Sequence, residues 1–142
     1  MAAELRLIDA FKAATNALLE ELDADGCAIS RALGDALVLL LEVSPHGRSL
    51  QIGGGFLLSE FPETARVLRT GQARSICVED PDADPSEVRL LHELGFGCLL
   101  MLPLPLRGET WGLVEVYRTE PRHFDAAEIE TARTMLAALS RL

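Results

Sequence analysis

The chain has 142 residues, 49% of them hydrophobic and 25% charged, and its 13 basic and 22 acidic side chains leave a net charge of −9. That size fits one domain, residues 1–142, able to bury a core without cross-links, and the acidic balance argues against nucleic acid or an anionic membrane surface as partner. The longest near-uncharged apolar run, Ala36 to Leu41, is far too short to span a bilayer. No secretory pattern opens the chain, so the expected compartment is cytoplasmic.

Glu4 to Leu22 reads as a long helix: Ile8, Phe11, Thr15, Leu18 and Leu22 recur at alternating spacings of three and four, widened by Leu5, Ala14 and Leu19. Asp23-Ala24-Asp25-Gly26 ends it. Three strand-like segments follow, Cys27 to Leu33, Ala36 to Val43 and about Ser49 to Leu57, with Gly34-Asp35 as a hairpin turn and Ser44-Pro45-His46-Gly47 as a longer one. Gly53-Gly54-Gly55 interrupts the third strand but matches neither dinucleotide nor P-loop spacing, so a bulged strand end is expected there.

Two short helices are well punctuated. Pro62 stands at a first helical position and Gly71 at a stop, for Pro62 to Thr70. Asp84-Pro85-Ser86-Glu87 reads as N-cap, proline and capping-box acid for Pro85 to Leu94, closed by Gly95. Between them Ala73 to Val78 is a short strand. Glu79, Asp80, Asp82 and Asp84 lack the ligand order of a calcium loop and read as a solvated, helix-capping segment.

Leu99 to Leu106 and Trp111 to Tyr117 are strands joined by a turn at Arg107-Gly108-Glu109-Thr110. Neither has a clean polar face, which puts both near the middle of a sheet covered on its two sides. Asp125 and Glu128 form a capping box, with Phe124 and Ile129 as hydrophobic staple, for a last helix running to about Arg141. Ile129, Ala132, Leu136 and Leu139 make one apolar seam; Met135, Ala138 and Leu142 make a second, which asks for a partner.

Chemistry-bearing residues are sparse. Cys27, Cys77 and Cys98 form no CxxC pair, and no His stands at metal-finger spacing. The odd count argues against a disulfide framework and a metal site, and each is expected to be a small buried hydrophobe. Ser59, Ser75 and Ser86 lack nucleophile-elbow context, and no nucleophile–base pair stands out, so no catalytic residues are assigned. Glu115 is the one acid in an apolar central strand; it is either a polar anchor inside a pocket or a solvated residue at the rim.

Pro62 with Val67-Leu68-Arg69-Thr70-Gly71, the run Leu94-Gly95-Phe96-Gly97-Cys98-Leu99-Leu100-Met101-Leu102-Pro103-Leu104, Arg107-Gly108-Glu109 with Trp111-Gly112-Leu113, and Arg122-His123-Phe124-Asp125 with Glu128 together resemble a GAF domain. In particular the chain is similar to those GAF domains that stand N-terminal to diguanylate cyclase or histidine kinase output domains in bacteria. The resemblance implies an α+β, profilin-like fold: a six-stranded antiparallel sheet of order 3-2-1-6-5-4. The terminal helices would lie on one face and the two short helices, with a pocket, on the other.

Specialised versions of the family fit poorly. The cyclic GMP signature is missing, since neither Asn nor Lys precedes Phe124. Bilin attachment through a Cys followed by His is not matched, because Cys77 precedes Val78 and Cys98 precedes Leu99. Haem needs an axial His; of His46, His92 and His123, only His92 is placed to border the pocket, and a surface role suits it better.

The resemblance therefore implies a non-catalytic sensor of an unknown small molecule, its pocket lined by Phe56, Leu58, Phe61, Cys77, Leu91, Phe96, Met101, Trp111 and Glu115. One alternative is a ligand-free dimerisation scaffold; another is a cysteine-dependent free methionine sulfoxide reductase. A homodimer is expected through Ile8, Phe11, Leu18, Met135, Leu136, Leu139 and Leu142 of the terminal helices.

Overall fold

The computed structural model describes residues 2–44 and 55–141. His46, Leu142 and the predicted strand residues before Gly55 lie outside the described residues. The elements are α1 (Ala2–Glu21), β1 (Gly26–Leu33), β2 (Ala36–Val43), β3 (Gly55–Leu57), a 3-10 turn (Leu58–Glu60), α2 (Pro62–Thr70), β4 (Arg74–Cys77), α3 (Pro85–Leu94), β5 (Cys98–Leu106), β6 (Glu109–Arg118) and α4 (Ala126–Leu139). The six strands form one antiparallel sheet in the order β3-β2-β1-β6-β5-β4. The long connection through α2 thus carries the chain from one sheet edge to the other.

Local chemistry accounts for the boundaries. Arg107 and Gly108, at φ 52° and 79°, make the two-residue turn between β5 and β6, a left-handed pair whose twist matches the flanking strands. Gly71 and Gly95 close α2 and α3 in the left-handed conformation, and prolines open both helices. The capping box of α4 is complete: the Asp125 carboxylate accepts from Glu128 N–H, and the Glu128 carboxylate from Asp125 N–H.

Strand alternation then divides the core in two. Cys98, Leu100, Leu102, Leu104, Val114 and Val116 face α1 and α4, where Phe11, Leu18, Leu22, Ala132 and Leu136 meet them. Leu99, Met101, Leu113 and Tyr117 face the other way, onto Leu37, Leu39, Val67 and Leu91 beneath α2 and α3. Burial of β6 from Gly112 to Arg118 follows from its central position, as the absence of a polar face predicts.

This division corrects the expected dimer seam. Phe11, Leu18, Leu136 and Leu139 are 2%, 0%, 2% and 7% exposed, so they belong to the core of the single chain and are not free to form an interface. They are the side of each helix that the sheet covers. Met135 packs half-buried against the same core, and among the described seam residues only Ile8, at 46% exposure, faces outward.

Arg118 ties this helical layer together. Its side chain is 1% exposed and reaches five acceptors: the carbonyls of Leu22, Asp23, Arg122 and His123, and the Glu128 carboxylate. Its guanidinium also lies 3.9 Å above the Phe124 ring. A planar fork of five donors suits such a set, whereas a lysine ammonium supplies three. Removing the guanidinium takes a donor from the buried Leu22 carbonyl and the cationic partner from Glu128. Arg118→Met is expected to lower unfolding free energy by about 3–5 kcal/mol, with Arg118→Lys intermediate. Urea denaturation at constant m-value measures both, and a change under about 1 kcal/mol for Arg118→Met would contradict the role.

Candidate ligand site

A cavity lies between the sheet and the α2–α3 layer, lined by Leu37, Phe56, Leu58, Phe61, Thr64, Glu87, Leu90 and Glu115. Phe56 comes from β3, Leu58 from the 3-10 turn and Phe61 from the residue before α2; the two rings meet edge to face at 5.6 Å. Free space among these side chains is about 10 Å³, room for roughly one water.

Two carboxyls stand out in this apolar setting. Glu115 sits between Ala28 and Met101 across the neighbouring strands, is 7% exposed, and accepts a 2.9 Å hydrogen bond from Tyr117 Oη. Burial, with the Glu87 charge adding to it, pushes its pKa up to about 7 against the opposing Tyr117 hydrogen bond. Glu87, 1% exposed, accepts from Thr64 Oγ1, which also lies 3.3 Å from Met101 Sδ. Its pKa is raised by burial as well, partly offset by the Thr64 hydroxyl. Tyr117, stacked on Phe96 at 4.8 Å, is held well above the usual phenol range by burial and by Glu115.

Glu115 is therefore inside, not at the rim. Glu87 departs from its expected part as a capping acid: it turns inward to Thr64, and the Asp84 side chain bonds no helix N–H but accepts from Ser86 Oγ. The reason is helical phase. Glu87 and Leu91 are four apart on the side of α3 that is buried, so the third residue of the helix points into the core. Sequence reasoning missed Glu87 because the local capping pattern explained it fully.

Of the other expected pocket residues, Phe56, Leu58 and Phe61 line the cavity with Glu115, while Leu91, Phe96 and Met101 pack in the core beneath it. Cys77 and Trp111 belong to the opposite face and are corrections. Trp111 is the extra residue where the pairing jumps from Leu104↔Gly112 to Pro105↔Thr110, and a bulge of that kind flips a side chain to the other face. There it packs on Phe11 at 5.5 Å and under Arg31 at 4.6 Å. Cys77 is directly opposite Cys98, and the two are joined as a disulfide, against the expectation of three unlinked thiols. A sequence separation of 21 residues hides a pairing that only strand register creates.

Cys27 is the remaining thiol, and burial pushes its pKa up to about 12, so it is neutral and a poor nucleophile at neutral pH. His92 is exposed on α3 and does not line the cavity. No described helix is long and apolar enough to cross a membrane.

With this geometry in place, comparison with known proteins is decisive for the family. The model of the GAF domain matches residues 6–141, and the chain belongs to the GAF family. The GAF domain of PixJ from Thermosynechococcus elongatus, in its blue-light-absorbing form, superposes with a TM-score of 0.79 at 18% identity, covering 99% of this chain and 89% of that one. The GAF domain of a two-component sensor histidine kinase from Bacillus halodurans gives 0.73 at 15% identity, covering 92% and 90%. A phycocyanobilin-bound GAF domain from a cyanobacterial phytochrome gives 0.76 at 20% identity, covering 99% and 90%. No curated protein sequence matches the chain significantly. At these identities the structural likeness establishes the fold.

The buried acid makes a pH signature. Because Glu115 has a folded pKa of about 7, above the ordinary carboxyl value of 4.5, the native state binds the extra proton between those limits. Its contribution to stability is full below about pH 4.5 and falls as pH rises through about 7, by on the order of 3 kcal/mol. Glu115→Gln is expected to remove that slope while keeping an acceptor for Tyr117. Chemical denaturation of both proteins from pH 4.5 to 8 measures the difference, and parallel curves would contradict a buried, titrating Glu115.

Proposed function

We propose that the domain is a regulatory small-molecule sensor of a signalling protein, its ligand held between the sheet and the α2–α3 layer. One observation supports this most: two buried carboxyls, Glu87 and Glu115, line a cavity whose other walls, Thr64 apart, are apolar. Acids at these positions suit a ligand carrying amine or amide donors with a small apolar body.

Drug-sized ligands occupy roughly 300–1,000 Å³, far more than the space present, so binding requires the Phe56–Phe61 segment and α2 to move outward. That requirement is a mechanism. Ligand selects the expanded arrangement, and whatever distinguishes it from the filled one is what the protein transmits. A physical route leads from α2 to the terminal helix: the Gly71 carbonyl that ends α2 accepts from Arg133 Nη2 of α4 at 3.1 Å. A cytoplasmic output domain attached to the terminal helices would read that shift.

The filled cavity also favours a second reading, a scaffold that binds nothing and serves only to bring copies of the chain together. Thermal shift against a metabolite library rich in amines and amides separates the two. For the sensor, a compound is expected to raise the melting temperature of wild type and lose that effect in both Glu115→Gln and Glu87→Gln. A hit that stabilises those variants equally well would place the ligand elsewhere. Absence of any hit, with native mass spectrometry showing a dimer, would favour the scaffold.

A further inference from the structure

Between β4, β5 and the segment leading into α4 lies a group of side chains that the ligand cavity does not use. The donor atoms of Cys77, Cys98 and His123 all lie within 4.8 Å of one another. Nδ1 of His123 is 2.7 Å from Ser75 Oγ, and that hydroxyl is 3.7 Å from Cys98 Sγ, so this ring edge is turned toward the sulfurs. The opposite ring nitrogen, Nε2, is 2.7 Å from Asp80 Oδ1, and the second Asp80 oxygen accepts from Cys77 N–H at 2.9 Å. With Asp80 Oδ1 facing Nε2, Nδ1 is the ring nitrogen left on the sulfur side, where it meets the Ser75 hydroxyl.

His123 is brought here by backbone fit. Gly97, just before β5, lets residues 119–121 lie directly on the strand: a Cβ there would stand 2.6 Å from Thr119 O and Pro121 N. Arg118 Nη1 then takes the His123 carbonyl at 3.0 Å. The imidazole is exposed, whereas Cys77 and Cys98 are 2% and 0% exposed, so His123 stands at the solvent side of the sulfur pair.

We propose that, once the disulfide is reduced, Cys77 Sγ, Cys98 Sγ and His123 Nδ1 bind one zinc-type divalent cation, with Asp80 positioning the imidazole. The reduction is a two-electron exchange with a thiol reductant. The Cys77–Cys98 bond breaks, the reductant supplies two electrons and two protons, and it leaves as its own disulfide. Cation binding then displaces the thiol protons, giving two thiolates whose charge balances the metal. Two thiolates with an imidazole are the donor set that zinc prefers, and a carboxylate on the other ring nitrogen is its recurring support. Three protein ligands leave a fourth position to water, the pattern of an accessible metal centre. The sulfurs can bond each other or hold the metal, but not both, so the site opens and closes with redox state.

Co²⁺ is the probe, because tetrahedral thiolate coordination gives intense charge-transfer and visible bands. Anaerobically reduced wild type is expected to take up one Co²⁺ per chain with those bands, displaced by Zn²⁺, while oxidised wild type gives none. Cys98→Ser is expected to diminish the thiolate band and His123→Ala to weaken binding at least about tenfold. Asp80→Asn is expected to keep the bands and weaken binding about 10–100-fold, as a positioning residue should. Reduced wild type lacking thiolate bands overturns the proposal, as does equal binding by the oxidised protein or by His123→Ala. The reduced–oxidised comparison needs no substitution, so it stands even if a variant fails to fold.

Discussion

The helical side of this domain is organised by the buried guanidinium of Arg118. It stands at the end of the central strand β6 and hydrogen-bonds the last carbonyls after α1, two carbonyls of the segment entering α4, and the acid that caps α4. Those groups come from separate stretches of chain, and the buried Leu22 carbonyl would lose this donor without it. A charge in so dry a place is costly to desolvate, and is tolerable only because all its donors find partners. Through it, the capping of one helix, the ending of another and the path of the intervening segment become a single arrangement.

From that arrangement follows the asymmetry of the two sheet faces. The side carrying α1 and α4 is closed by aliphatic packing and by Phe11, Phe124 and Trp111. The opposite side is covered by two short helices and the 3-10 turn before them, and it is there that the apolar layer admits Glu87, Glu115, Thr64 and Tyr117. Acids in such a layer are costly to ionise, even with the Thr64 and Tyr117 hydroxyls donating to them. Their presence where the covering elements are shortest, and so most easily displaced, is the physical argument for a binding role.

The sulfur pair lies on the other face and at the far edge, beside the same segment that Arg118 holds. The two sites are thus built from different layers: one from alternate residues of β6 that look toward α2 and α3, the other from the β4–β5 ladder and the entry to α4. They have no residue in common. The fold shared with phytochrome and histidine kinase GAF domains describes the platform, whereas what distinguishes this chain sits in its own side chains.

Much was legible in the amino-acid sequence because it depends on neighbours along the chain. Proline at a helix start, glycine at its end, the Asp125–Glu128 reciprocal cap and the Arg107-Gly108 turn are decided within a few residues. So is the alternation that marks β5 and β6 as doubly covered, and with the motif resemblance it was enough to order the sheet. What lay beyond that reach depended on register and phase between distant segments. Strand pairing alone sets Cys77 against Cys98, a bulge alone turns Trp111 to the other face, and the rotation of α3 alone sends Glu87 inward. Likewise, Leu136 and Leu139 showed an apolar seam in one dimension, but only three-dimensional packing decides which side of an amphipathic helix the sheet takes and which it leaves for others.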